Sequence, residues 1–268
     1  MIDIFGEQFM VTALVAGLIA GAVCAYLGVF VILKRIVFMG IALAEVAALG
    51  VALGLFAGLD PFSCAFVSTL TAVAIFWLAQ TERSVSRESF IGFVYVFCAA
   101  LAVILIAKNP MAEAMGVNLT SGSLLYTTWH DIEVLGASVI IIISVHLALF
   151  RKLIFVSFDK ETAFTARIRA DAIDLILYIT IGVTISLATK ICGVLFVFAS
   201  LLIPAMVGLV VARRVRTIFI IACSASCLCV TAGLIFSYLW DLPTNPMIVV
   251  IYGVFFAIVL AVNYLRKR

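Results

Sequence analysis

The sequence predicts an all-α, polytopic membrane bundle of about nine spanning helices, with its N-terminus outside and its C-terminus in the cytoplasm. Three observations predict it. Of 268 residues, 66% are hydrophobic and 12% charged, where a soluble domain runs at about 45–50% and about 25%. The apolar residues fall in runs near the spanning length of about 20 residues. The basic residues sort to one side of those runs. Length alone permits one or two soluble domains, but a soluble protein of this size has no interior for so much apolar surface. Nine spans absorb most of the apolar inventory and leave only short connections. That excludes an enzyme with its own cytosolic catalytic domain, and 1–268 reads as a single transmembrane domain.

Charge, Pro and Gly place the spans at 10–33, 37–58, 62–80, 90–107, 133–150, 172–189, 193–212, 217–239 and 246–264. The first run has no basic residue before Lys34, so it lacks the positive n-region of a signal peptide and reads as a retained helix. The second carries Glu45 near its middle. Between the fourth and fifth, 108–132 is too polar for a clean span and has room for a short interfacial helix; eight spans is the alternative count. The seventh contains Pro204, expected to break or kink it.

Orientation follows from the cations. With Met1 outside, only Lys108 and Lys190 of the 17 Lys and Arg residues fall on the outer side. An odd span count with the C-terminus inside is therefore favoured. The net charge of +3 is a by-product of this sorting and does not point to nucleic acid.

The largest inner loop is 151–171, where Phe155, Phe158 and Phe164 alternate with charges and Asp159 is placed to cap a short helix. Two readings stand for it: a solvated or membrane-surface helix, and a docking helix through which a cytosolic partner moves the bundle. No phosphate loop, H-E-x-x-H, G-x-S-x-G or G-x-G-x-x-G occurs. ATP, if used, is hydrolysed on a separate chain.

Glu45 is the most informative residue and the one acidic side chain placed deep in a span. A charge at a helix centre costs about 2.5–3.5 kcal/mol on the insertion scale, so such groups face a bundle interior or a wet cavity. It reads either as a protonated glutamate bonded to a neighbour or as a residue lining a transport path. One carboxylate alone makes a poor divalent-metal site. His130, Asp131 and Glu133 lie at the expected outer mouth, either simply hydrated or as a weak cation-collecting cluster. His146 reads as a neutral core histidine bonded to a carbonyl or hydroxyl. Cys223, Cys227 and Cys229 read as packing residues, with a soft-metal thiolate site as the minority view. Gly50, Gly54 and Gly58, continued upstream by Gly40, Ala44 and Ala48, form a small-residue stripe, as do Gly17 and Gly21. Such stripes serve close packing within a bundle or a dimer seam.

Several segments, in order, resemble the integral membrane permeases of ABC-type zinc and manganese uptake systems, the ABC-3 family. LGVFVILKRIVFMG at 27–40 is similar to the family's link between the first two spans. RESFIGFVYVFCAALAVIL at 87–105 resembles its acidic-x-x-Ile-Gly stretch and following span. SGSLLYTTWHDI at 121–132 resembles its Phe-Gly-x-x-Leu region, with Ser121 for Phe. VSFDKETA at 156–163 resembles its Phe-Asp-Pro-Glu-x-Ala inner loop, with Lys160 for Pro. CGVLFVFASLLIPAMVG at 192–208 and DLPTNPMIVV at 241–250 match its Leu-Ile-Pro-Ala segment and last turn. The resemblance covers roughly 27–262.

It implies a non-enzymatic permease subunit, multi-pass in a bacterial or archaeal cell membrane. It also implies a homodimer with a cytosolic ABC ATPase and an extracytoplasmic solute-binding protein. A divalent metal (Zn, Mn or Fe) is then cargo, with no permanent cofactor. Phe158, Asp159, Glu161, Phe164 and Arg167 would form the ATPase-coupling loop, and Glu45, with His130 and Asp131, the metal path. The family's Gly-Asp-(small)-Leu-x-His, which holds its expected channel ligands, is here Gly40-Ile41-Ala42-Leu43-Ala44-Glu45. Ile41 cannot bind a metal, and Glu45 is a harder ligand than His. That leaves open a metal of different ligand taste, a site rebuilt from other residues, or another solute. From a different class, a proton-coupled secondary transporter using Glu45 also fits, as does a non-transporting scaffold or polytopic enzyme.

Overall fold

The computed structural model describes residues 8–78, 86–108, 124–158, 163 and 169–266. Among them are nine helices long and apolar enough to cross a membrane. In chain order these are α1 (Gln8–Leu33), α2 (Val37–Ala57), α3 (Pro61–Leu78), α4 (Arg87–Ala107), α5 (Trp129–Phe158), α6 (Ala170–Cys192), α7 (Val194–Val211), α8 (Val215–Trp240) and α9 (Thr244–Arg266). A single 3-10 turn, Leu124–Tyr126, precedes α5. The fold class and span count match the sequence reading.

Two spans differ from it. Helix α5 runs 30 residues, about 45 Å at 1.5 Å per residue, against a hydrocarbon core of about 30 Å. Arg151 and Lys152, expected in the inner loop, are therefore the last turns of α5. Pro204 does not end α7, which continues to Val211. The break falls instead at Gly193, the single residue between α6 and α7, with φ 80° and ψ 163°. That positive φ suits glycine, which has no Cβ to clash.

Packing centres on two helices. Helix α1 lies against α5, α6, α7 and α8, and α2 against α3, α4, α6 and α7. The pair α3 and α4 flanks α2, while α7, α8 and α9 pack on one another, and α6 bridges both groups. Among lipid chains, helices gain nothing from burying apolar groups as such, so close backbone approach does the work. At Gly28 of α1, a Cβ would meet the Leu201 carbonyl oxygen of α7 at 1.7 Å. At Gly50 of α2, it would meet the α-carbon of Ala65 on α3 at 2.6 Å. Gly50 and Gly54 of the small-residue stripe are thus consumed inside the chain, by α3, while Gly40 packs on Leu201 of α7 and Gly58 meets nothing within 4 Å.

Tertiary bonds tie matching ends together and fix the alternation of the helices. Lys34, just past α1, pairs with Asp174 in the first turns of α6. At the opposite end Lys190 near the close of α6 donates to Asp131 at the start of α5, at 2.9 Å. Asn245 of α9 donates to the Cys192 carbonyl at 2.6 Å. The described basic residues gather at the Lys34 end, called here the basic end. Only Lys108 and Lys190 lie at the other.

Candidate translocation site

Glu45 lies midway along α2. Its neighbours Ala42, Leu43, Ala44, Val46 and Ala47 are buried, but Glu45 itself is half-buried. The helical period explains this. Phe38, Ile41, Glu45, Leu53 and Phe56 fall on one stripe at helical spacing. Phe38, Leu53 and Phe56 are exposed, and Ile41 is half-buried like Glu45. Leu49 and Ala52, one and two turns further along the same stripe, are buried, so α2 is open at its two ends and Glu45 sits half-covered between them. Cys98 of α4 is within electrostatic reach of the carboxylate. Among the described residues Glu45 makes no hydrogen bond or ion pair. Ile41 stands one turn away on the same face, so the position that would supply a second ligand supplies a methyl-bearing side chain.

The second cluster lies at the end opposite the basic one. Asp60 caps α3: its Oδ2 accepts from the Ser63 backbone N–H at 2.8 Å and from the Ser63 hydroxyl at 2.7 Å, and Pro61 takes the first helical position. The Ser63 hydroxyl, then the Ser63 N–H, hold the Asp60 carboxyl below the usual carboxylate range. Across a cavity of about 300 Å³ stand His130, Asp131, Leu187 and Lys190. Asp131 accepts from the Thr128 hydroxyl at 2.6 Å and from Lys190 Nζ. Lys190 also lies over the Phe62 ring at 5.1 Å. Asp131, expected to help collect cations, is thus already neutralised by a cation of the protein. His130 lines the same cavity, and Glu133 is exposed nearby.

The pair Lys34–Asp174 was not anticipated. Both side chains are buried, and the ammonium also lies 6.0 Å from the Tyr178 ring centroid. Asp174 therefore joins Glu45 as an acidic residue buried within a span. Topology rules weigh cations and nearly ignore Asp and Glu, which is why Lys34 read as a loop residue. The usable signal was Asp174 within the sixth apolar run, since a carboxylate there requires a partner.

His146 of α5 is fully buried, with Nε2 2.9 Å from the Thr180 hydroxyl. That hydroxyl donates to the Leu177 carbonyl, so it accepts from Nε2–H, and Nδ1 has no partner among the described residues. The rings of Tyr26 and Phe30 both lie 5.6 Å away. His146 is the hydroxyl-bonded core histidine the sequence suggested. Cys223, Cys227 and Cys229 are unpaired and at least half-buried. No group of three or more His, Cys, Asp or Glu able to hold a metal occurs among the described residues. Of the expected coupling residues, Phe158 ends α5 and is exposed. Asp159, Glu161, Phe164 and Arg167 lie outside the described residues.

The model of the ABC 3 transport family matches residues 6–263. The chain belongs to that family. The high-affinity zinc uptake system membrane protein ZnuB of Haemophilus influenzae is 30% identical over 91% of this chain and 93% of its own length. A manganese transport system membrane protein, MntC of Halalkalibacterium halodurans, is 25% identical, covering 96% of this chain and 88% of its own. A chelated iron transport system membrane protein, YfeD of Yersinia pestis, is 26% identical over 98% of this chain and 88% of its own length. The fold is shared with PsaBC from Streptococcus pneumoniae, solved in complex with Fab. The TM-score is 0.85 at 22% identity, covering 96% of this chain and 92% of that one. Family membership makes this a membrane protein of ABC transport, as the nine apolar helices require.

Proposed function

We propose that this chain is the membrane-spanning permease subunit of an ABC importer for a divalent metal ion of the zinc, manganese or iron group. Residues 1–268 act as one permease domain and carry no catalysis of their own. Two copies assemble with a separate cytosolic ATPase and an extracytoplasmic solute-binding protein. The basic end faces the cytoplasm, as the positive-inside bias favours, with the C-terminus there and the N-terminus outside.

The observation that carries the reading is Glu45, a half-buried carboxylate at mid-span of α2 with no bonded partner among the described residues. An unbonded carboxylate at that depth is costly unless water or another group reaches it. A second copy packed against the exposed Phe38 and Phe56 ends of α2 would bring two Glu45 side chains towards one seam. Paired carboxylates supply the oxygen ligands that one chain lacks, in keeping with a cation as cargo. The cation is held only in passing, so a sparse and hard ligand set suits transport better than a closed cage. At the outer mouth His130 and Asp131 border the entry, and Lys190 must release Asp131 before that carboxylate meets the cargo. At the basic end Phe158, Asp159, Glu161, Phe164 and Arg167 form the surface on which the ATPase pushes.

The test is uptake of radiolabelled zinc, manganese and iron by cells carrying the full importer with Glu45→Gln or Glu45→His. Glu45→Gln lowers uptake of the cargo metal, and Glu45→His shifts preference toward zinc, the softer partner for imidazole. Unchanged uptake and selectivity in both variants across a metal series would retire Glu45 from the path. Uptake that survives ATP depletion and collapses with a protonophore would replace the ATP-driven reading with proton coupling through the same carboxylate.

A further inference from the structure

A second cavity, of about 580 Å³, opens between α5 and α8 at the basic end. Its walls are Leu147, Leu149 and Phe150 of α5 and Phe219 and Ile220 of α8, with Tyr26 of α1 also lining it. The rings of Tyr26 and Phe219 lie 5.0 Å apart, and those of Phe150 and Phe219 5.6 Å. Leu147 and Ile220 are 68% and 66% exposed, so the cleft opens sideways, towards whatever surrounds the helices. Three cations rim it: Arg151 and Lys152 in the last turns of α5 and Arg216 in the first turn of α8. All three are exposed, and none pairs with a described residue. Among the described residues no acidic side chain lines the cleft.

We propose that this cleft is a binding site for an anionic phospholipid, the phosphate held by Arg151, Lys152 and Arg216 and the chains lying along Leu147, Phe150, Phe219 and Ile220. The chemistry is matched at both ends. Cations at a membrane face attract anionic headgroups, and long basic side chains at helix ends reach the headgroup level. Tyr26 lies seven residues before the end of α1, about 10 Å deeper at 1.5 Å per residue, which is acyl-chain depth. A soluble phosphate would use the rim and leave the apolar walls empty. The segment 159–168 of this chain carries two cations and two anions, so it matches the rim less well. Occupied, the cleft clamps α5 to α8 beside the loop assigned above to ATPase docking. The site itself stands independently of that assignment.

The full chain, purified in neutral detergent, is titrated with dioleoyl phosphatidylglycerol and with dioleoyl phosphatidylcholine, and bound lipid is counted by native mass spectrometry. Phosphatidylglycerol binds preferentially. Arg151→Gln/Lys152→Gln/Arg216→Gln weakens it on the order of a hundredfold, from the contribution of three cations near a headgroup. Arg35→Gln/Arg266→Gln, two cations at the same end but outside the cleft, leaves it unchanged. Ile220→Trp keeps the cations but fills the groove, and also lowers binding, so the test survives a triple variant that fails to fold. Equal binding of the two lipids overturns the proposal, as does equal loss in the Arg35/Arg266 control. Displacement of the lipid by sn-glycerol 1-phosphate at equal concentration would assign the rim to a soluble anion instead. Cross-linking of 159–168 into the cleft in the presence of lipid would assign it to the chain's own loop.

Discussion

Removing Asp174 should cost this protein far more than removing any carboxylate at its surface. In Asp174→Asn the Lys34 ammonium keeps its position but loses its counter-charge. The side chains are only 8% and 3% exposed, so water cannot replace the lost partner. Breaking a buried pair from one side costs about 3–5 kcal/mol. At 1.4 kcal/mol per tenfold, this lowers the folding equilibrium by roughly two to three and a half decades. Lys34→Met takes the ammonium away from the buried Asp174 carboxylate and falls in the same range. The double variant Lys34→Met/Asp174→Leu removes both charges and regains most of the loss, since apolar replacement of a buried pair is often neutral or better. The assay is reversible unfolding of the full chain in mixed micelles by SDS titration, followed by circular dichroism, as a double-mutant cycle. A coupling energy below about 1 kcal/mol, or single variants no weaker than an exposed pair such as about 0–1 kcal/mol, would refute the assignment of this pair as the latch between α1 and α6.

Three further outcomes follow from the packing and capping. Gly28→Ala places a Cβ on the Leu201 carbonyl, so α1 and α7 must separate and the yield of monodisperse protein in gel filtration collapses; Gly92→Ala, which meets nothing within 4 Å, keeps its yield. Thr180→Val leaves Nε2–H of His146 buried without an acceptor, a loss of about 1–3 kcal/mol in the same SDS titration, and Thr180→Ser restores most of it. Asp60 has a lowered folded-state pKa, so its contribution is present above the unfolded carboxylate range and is lost as pH falls through the folded value; Ser63→Ala removes the largest cause, so the acid-side fall in thermal stability becomes smaller and is complete at a higher pH than in the parent chain.

The helices were legible because a spanning run is a strong signal and needs no tertiary information. Even so, the ends of α5 were misplaced. Arg151 and Lys152 read as loop because charge was taken to end a span, while a helix under no lipid constraint simply continues into the headgroups. Pro204 did not break α7, since a proline among packed helices can be accommodated where neighbours re-satisfy the backbone. At the site, Glu45 stood out because it interrupts an apolar run. Its meaning depended on how far α2 is covered around it, and that is a property of where α3, α4, α6 and α7 lie. The engagement of Asp131 by Lys190 joins residues 59 apart, and that of Lys34 by Asp174 residues 140 apart. Neither separation leaves a local trace, so Asp174 in its apolar run called for a partner without naming it, and both pairings became visible only once the chain was folded.

The one-residue junction at Gly193 has a bearing on biosynthesis. Helix α6 carries Asp174, Lys190 and the buried hydroxyls Thr180, Thr184, Ser186 and Thr189, a poor passenger for a translocon that admits segments by their lipid affinity. Helix α7 has no charged residue and no polar side chain but Ser200. With no loop between them, neither can enter the bilayer and wait for the other. The two must leave the translocon as one hairpin, the greasy strand of the pair carrying the polar one across. A spacer inserted after Gly193 would uncouple them, and α6 would then have to cross on its own merits.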